Sequence, residues 1–282
     1  MASPLPIILY HYPFSPYARR VVWYLRLRGI PYTECLQPPI LPRPDLALLG
    51  LSYRRIPTLT LGTEIYLDTR LILSKLNSHL QSYPSIAPTS PTHLTTTRLL
   101  SLWTTTTDLF TRAQHLLPFG DLPLLKDPAF QRDRLDFNNG KRTSRDEALL
   151  LRAEALVEIR EGLELLEGQF AWVERFQGVV SQKKGTVGRV NGEEAARMIR
   201  EAGWVEEEGT VDKEDPVVKL FGLTKGDLIE VWPTDSGSGH VDSGRLVAMG
   251  REEVVWETER GYRVHAPRKG FRVKPKERGA NL

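Results

Sequence analysis

The sequence predicts an α/β domain, then an all-α domain, then a small all-β module at the C-terminus. Three observations lead there. Residues 7–80 alternate short branched or aromatic runs with amphipathic helical runs. Residues 92–176 carry apolar residues at helical spacing. Residues 216–275 hold five short apolar runs divided by turn residues. A Pro/Ser linker, "SYPSIAPTSP" at 82–91, separates the first two regions, and a polar stretch rich in Gly, Glu and Lys at 178–215 precedes the third. The implied domains are 1–84, 92–176 and 216–275, with 178–215 as an exposed connector holding one short helical segment, "GEEAARMIREAG".

Element by element, "IILYHY" reads as a buried strand. Ser15 has the chemistry of a helix N-cap, and Pro16 suits the first helical position, where no N–H is needed. Val21, Val22 and Leu25 form an apolar stripe opposite Arg19, Arg20 and Arg26, and Gly29 stops the helix. "IPYTECL" is a second strand, and "TLTLGTEIYL" is a hairpin around Gly62-Thr63. Asp68 and Thr69 cap the helix "RLILSKLNSHL". Elements in this order pack as a small thioredoxin-like sheet.

In the helical region, Leu99, Trp103, Thr106, Phe110, Ala113 and Leu117 alternate spacings of four and three, one face of a long helix. Its Thr runs weaken helix propensity, so packing must hold it. A second long helix opens with "SRDE" at 144–147, a capping box, and its stripe runs Leu156, Ile159, Leu163, Leu166, Phe170, Val173. The C-terminal strands are "LIEVW", "RLVAM", "VVWET", "YRVHA" and "GFRVK", enough for a small barrel or sandwich.

The chain has 282 residues and 40% hydrophobic content, enough for a sizeable core. Its 38 basic and 35 acidic residues leave a net charge of +3, which gives no strong pull toward nucleic acid or an anionic membrane. Cys35 is the single cysteine, so no intrachain disulfide forms, and a reducing, cytoplasmic setting is expected. The apolar run near the start is too short for a secretory signal, and no run is long enough to span a bilayer.

Three motifs then carry a resemblance. "SPYARRVVWYL" resembles the active-site corner of glutathione transferases, a Ser- or Cys-Pro-Phe-x-x-Arg-Val pattern. "RRIPTL" is similar to that family's Lys-Val-Pro-x-Leu segment with its cis proline, and "DTRLILSKL" to its Glu-Ser-x-x-Ile-x-x-x-Leu segment. All three fall in the family's order and spacing across residues 7–80. The C-terminal β module resembles a tail found on a group of fungal glutathione-transferase-like proteins. Two departures stand out. Asp68 replaces the family's Glu, one methylene shorter, and the Ser/Thr-x-x-Asp box expected after the long second-domain helix is missing.

The resemblance implies glutathione as co-substrate, an electrophilic small molecule as its acceptor, and a homodimer. Ser15 would donate its hydroxyl to the thiol sulfur and favour the thiolate. The Ile56 backbone before Pro57 would pair with the cysteinyl part of the peptide, as an added strand does. Thr69 would take the γ-glutamyl carboxylate, Asp68 the α-amino group, and Arg54 or Arg55 the glycine carboxylate. Phe14, Tyr17, Trp103 and Phe110 would line the second-substrate pocket. The expected outcome is conjugation or thiol-assisted isomerisation, in detoxification or secondary metabolism. The alternative is a catalytically reduced scaffold that binds partners through its β module.

Each residue also has a plainer role. Ser15 can be an N-cap alone. Tyr10, Tyr12 and Tyr17 are rival hydroxyls that fit packing better. Cys35 has no basic neighbour in sequence to activate it. His240 and His265 with Asp235 and Asp242 match no metal-ligand spacing, so no metal is expected, and "DSGSGHVDSG" reads as a long hairpin loop.

Overall fold

A computed structural model describes residues 5–106, 109–117, 122–164, 168, 170–183 and 187–276. The chain forms two compact units: residues 1–83 with 185–282, and residues 84–184.

The first unit begins with strand β1 (Ile7–His11), helix α1 (Pro16–Arg28), strand β2 (Thr33–Leu36) and the short helix α2 (Pro44–Ala47). Strands β3 (Thr58–Leu61) and β4 (Glu64–Leu67) form the expected hairpin, followed by α3 (Thr69–His79). β1 pairs parallel with β2 and antiparallel with β3. That is the thioredoxin-like arrangement. Gly29 ends α1 in the left-handed conformation, its N–H returning to the carbonyls of Arg26 and Leu25. Gly62 turns the hairpin at φ 59, and a Cβ there would lie 2.4 Å from the Gly203 carbonyl oxygen. Conformation and proximity both demand glycine.

The second unit holds α4 (Pro91–Thr106), α5 (Leu109–His115), α6 (Pro123–Lys126), α7 (Pro128–Phe137), α8 (Arg145–Glu164) and α9 (Phe170–Gln182). The capping box forms: the Ser144 hydroxyl accepts the Glu147 N–H at 3.2 Å, and the Ser144 N–H donates to the Glu147 carboxylate at 3.3 Å. The inward face differs from expectation. It runs Ala148, Leu151, Ala155, Ile159, Gly162, while Leu156 and Leu163 are 52% and 46% exposed. Ala155 is fully buried, and a Cβ at Gly162 would sit 3.4 Å from Trp103 and Leu109. Small residues set the close approach here, and large ones on the earlier helices fill it. Leu99 and Leu117 likewise point outward. Leu166 and the side chains of Thr106 and Phe170 lie outside the described residues.

The chain then re-enters the first unit. Strand β5 (Gly188–Arg189) pairs parallel with β2, and α10 (Gly192–Glu201) packs against α2. Residues 188–201 are therefore structural rather than the exposed connector expected, while 203–214 stay mostly exposed. α10 buries Ala195, Ala196 and Ile199 on one side and keeps its charges on the other. After α11 (Pro216–Phe221) come the five expected strands: β6 (Leu228–Pro233), β7 (Asp242–Met249), β8 (Glu253–Glu257), β9 (Arg263–Pro267) and β10 (Phe271–Pro275). They form neither a separate barrel nor a sandwich. β9 pairs parallel with β4, so one ten-stranded sheet runs β10-β6-β7-β8-β9-β4-β3-β1-β2-β5. The reason is the edge. β4 is short and buried at every position, apolar at three of four, and an open edge of that kind needs a partner.

Alternation along β1 sends Ile8 and Tyr10 into one core and Ile7 and Leu9 into another. The first core joins α2 and α10 to the C-terminal strands through Ile199, Trp256 and Phe271. The second lies under α1 and α3, with Val21, Leu25, Ile72 and Leu76. No helix among the described residues is long and apolar enough to cross a membrane.

Candidate functional site

The corner after β1 is built locally. The Ser15 N–H donates to the Tyr12 carbonyl at 3.1 Å, which turns the chain out of the strand. Ser15 is extended, at φ −66 and ψ 121, and its Oγ accepts the Ala18 N–H at 3.2 Å. It is the N-cap, with Pro16 following in the first turn. No acidic residue stands in that turn, so the positive end of the helix dipole is not neutralised from within. The cap bond uses an oxygen lone pair. The hydroxyl proton is left to donate elsewhere.

The next segment is 52–57. The Ile56–Pro57 peptide is cis. The β3 ladder begins at Thr58, and among the described residues no turn or loop bond engages the Ile56 N–H or C=O. Arg54 and Arg55 take different positions. Arg54 is buried, and its carbonyl accepts from Arg43. Arg55 is the surface member of the pair. Its Nε and Nη2 donate to the Ser236 carbonyl at 2.9 and 2.6 Å, and Nη2 also pairs with the Asp235 carboxylate. Asp242, at the start of β7, accepts the Ser52 and Tyr53 N–H groups on Oδ1, at 3.2 Å for Tyr53. Burial pushes its carboxyl up to about 7, against the lowering effect of those two N–H groups.

The third piece is the start of α3. Asp68 is its N-cap, with Oδ1 accepting the Arg70 N–H at 2.9 Å and Arg70 Nε at 3.2 Å. Thr69, expected to share the cap, is the first helical residue and is buried. Asp68 sits at φ 68 and ψ 132, a conformation that costs a non-glycine residue about 1–3 kcal/mol. Tyr17 is 41% exposed as a residue, yet its hydroxyl sits close enough to protein for desolvation to raise its pKa first of all, while Arg55, Asp68 and Asp235 act on it electrostatically. Arg20 also senses Asp68 and Arg70. Arg55 and the Ser52 and Tyr53 N–H groups thus tie residues 52–55 to the β6–β7 loop and the start of β7.

Tyr10, Tyr12 and Cys35 each have a packing role. Tyr10 is in the core, where burial raises its pKa. Tyr12 packs on Phe14 with ring centroids 4.7 Å apart. Cys35 is buried, and desolvation together with Asp45 pushes its thiol up to about 12. Of the residues expected in a second-substrate pocket, Phe14 and Tyr17 are exposed residues of the first unit. Trp103 and Phe110 belong to the second unit, where Trp103 packs across α8 at Gly162.

A charged cluster elsewhere in the first unit was not predicted. His265 is 2% exposed and bridges two carboxylates, Glu64 at 2.8 Å from Nε2 and Glu253 at 3.1 Å from Nδ1. Burial alone lowers its pKa, but those bonds raise it overall. Lys75 donates to Glu206 and Glu253 at 2.6 to 2.7 Å, and the Tyr66 hydroxyl donates to Glu206 at 2.7 Å. Glu206, Glu253 and His265 lie within 4.8 Å of one another beside a cavity of about 60 Å³. The Lys75 ammonium already supplies the cation there, so the cluster is an ion-pair network joining β4 and α3 to β8 and β9. Its sequence signal was a charged or titratable residue inside a strand run, Glu64 in "TEIYL" and His265 in "YRVHA".

Comparison with known proteins bears on the fold. Residues 9–81 match the family described as the N-terminal domain of glutathione S-transferase, and residues 112–170 match a domain of unknown function. The chain is similar to the crystal structure of a GST-like protein from Pseudomonas syringae, with a TM-score of 0.66 and 23% identity over 96% of this chain and 100% of that one. That likeness shows the fold. A Tau class glutathione S-transferase from mango is 14% identical over 63% of this chain and 73% of its own, with a TM-score of 0.40. A glutathione S-transferase from Methylobacillus flagellatus with glutathione bound is 21% identical over 63% of this chain and 92% of its own, with a TM-score of 0.33. No curated protein matches the chain.

Proposed function

Because this chain is glutathione transferase-like, with that family's N-terminal domain over residues 9–81, we propose that it binds glutathione and adds it, through its thiolate sulfur, to an electrophilic small molecule. The observation that carries this is Ser15. It caps a 13-residue helix with its lone pair and keeps its O–H for a ligand.

The residues present fit the tripeptide. The Ile56 N–H and C=O, beyond the β3 ladder and next to a cis proline, suit the cysteinyl backbone. The start of α3, with Thr69 as its first residue, suits the γ-glutamyl carboxylate. Asp68 suits the α-amino group, and Arg55 suits the glycine carboxylate. Glutathione, as co-substrate, supplies the nucleophilic sulfur. Ser15 holds its proton toward that sulfur, and the α1 dipole favours negative charge there. Both effects lower the free energy of thiolate against thiol, the main demand of this chemistry. Conjugation or thiol-assisted isomerisation, in detoxification or secondary metabolism, and a homodimeric state complete the proposal.

The test is calorimetric titration of the full chain with glutathione, beside turnover of a generic electrophile. Binding with turnover is expected. Binding without turnover supports the scaffold alternative, and absence of both overturns the glutathione assignment.

A further inference from the structure

The C-terminal strands reach the proposed glutathione site through one loop. The loop joining β6 to β7 is tied down at several points. The Thr234 N–H donates to the Gly270 carbonyl at 3.0 Å, Ser236 offers its carbonyl to Arg55, and Asp242 accepts the Ser52 and Tyr53 N–H groups. The loop therefore lies along residues 52–55, immediately before the cis Ile56–Pro57 bond. The Ser236 carbonyl takes Nε and Nη2 and fixes the guanidinium plane. Asp235 is different. It is a carboxylate, its side chain is 69% exposed, and it pairs with an arginine whose side chain is 20% exposed.

Resting on the glutathione reading above, we propose that Asp235 sets the charge preference of the site by occupying Arg55 in place of a ligand carboxylate. One argument supports it. The contact that Asp235 makes with Arg55 is the contact the glycine carboxylate would make, so the two compete for one guanidinium. An exposed ion pair is weak, so the ligand can displace Asp235 at modest cost. The natural protein should then distinguish poorly between a tripeptide ending in a carboxylate and one ending in an amide.

The experiment is calorimetric titration of the full chain and its Asp235→Asn variant at low ionic strength. The probes are glutathione and its analogue with the glycine carboxylate converted to a primary amide. Asp235→Asn should tighten glutathione binding by about two- to fivefold, the worth of an exposed ion pair. Amide binding should not change, and added salt should narrow the difference. In an Arg55→Gln background, the Asp235→Asn gain should vanish. Melting curves check that each variant is folded, and Asp235→Ser replaces any variant that is not. Glutathione binding that Asp235→Asn leaves equal or weaker overturns this proposal and spares the reading beneath it. A natural protein that binds neither probe overturns both.

Discussion

At Ser15 the cap bond and the proposed chemical role use different parts of one hydroxyl, the lone pair for Ala18 and the proton for sulfur. Ser15→Ala should therefore have two separable effects. Losing the cap should lower stability by about 1 kcal/mol. Losing a hydrogen bond to a charged sulfur, about 1.5–3 kcal/mol, should slow turnover by roughly one to two powers of ten, with glutathione affinity nearly intact. Turnover against pH, beside a separate titration, tests this, and an unchanged profile would leave the serine as a cap. Asp242 makes a second prediction. Its folded pKa of about 7 lies above the ordinary carboxylate value of 3.8, so the stability it contributes is present below pH 4 and lost as pH rises through 7. Asp242→Asn keeps an oxygen for the two N–H groups and removes the titration. Melting temperatures from pH 4 to 8 should fall less for the variant than for the natural protein. Ser15, Gly29 and Pro57 were legible because their signals lie within a few residues. The partners of Arg55 and His265 were not, because Asp235 and Glu64 stand 180 and 201 residues away.

Helices and strands were legible where the local pattern decides them. The capping box at 144–147 formed, and all five C-terminal strands stand where alternation and turn residues put them. Facing was harder. On α8 the largest residues suggested a stripe through Leu156 and Leu163, but neighbouring helices approach over Ala155 and Gly162. Hydrophobicity ranks side chains by size, whereas close packing of helices selects small ones. The β3–β4 turn gives the element-scale prediction. Gly62→Ala places a Cβ against the Gly203 carbonyl and keeps φ positive. The variant should lose about 1–3 kcal/mol in denaturant titration. Hydrogen exchange at Thr63, whose N–H donates to the Gly203 carbonyl at 3.2 Å, should quicken more than exchange in β7.

Across the whole molecule, the sequence divided the chain by composition, and the fold divides it by sheet pairing. A polar stretch reads as a linker until its few apolar residues, Ala195, Ala196 and Ile199, are seen to cover a core. The C-terminal strands read as a module until β9 is seen beside β4. Two outcomes follow. A chain ended after residue 205 should show no cooperative melting by circular dichroism, since β4 would keep an open edge and the first core would lose Trp256 and Phe271. His265→Gln should cost about 1–3 kcal/mol in chemical denaturation, because fully buried Glu64 loses its 2.8 Å bond to the imidazole and, among the described residues, keeps only Arg263, at 3.6 Å. The β4–β9 pairing also bears on how the protein is made. Glu64 leaves the ribosome about 200 residues ahead of its neighbour Arg263, a delay of roughly 10–40 s at ordinary synthesis rates. Through that interval β4, already paired with β3, keeps its other edge open while the whole helical unit is translated behind it. Until the last strands arrive, that edge is open to pairing with another chain.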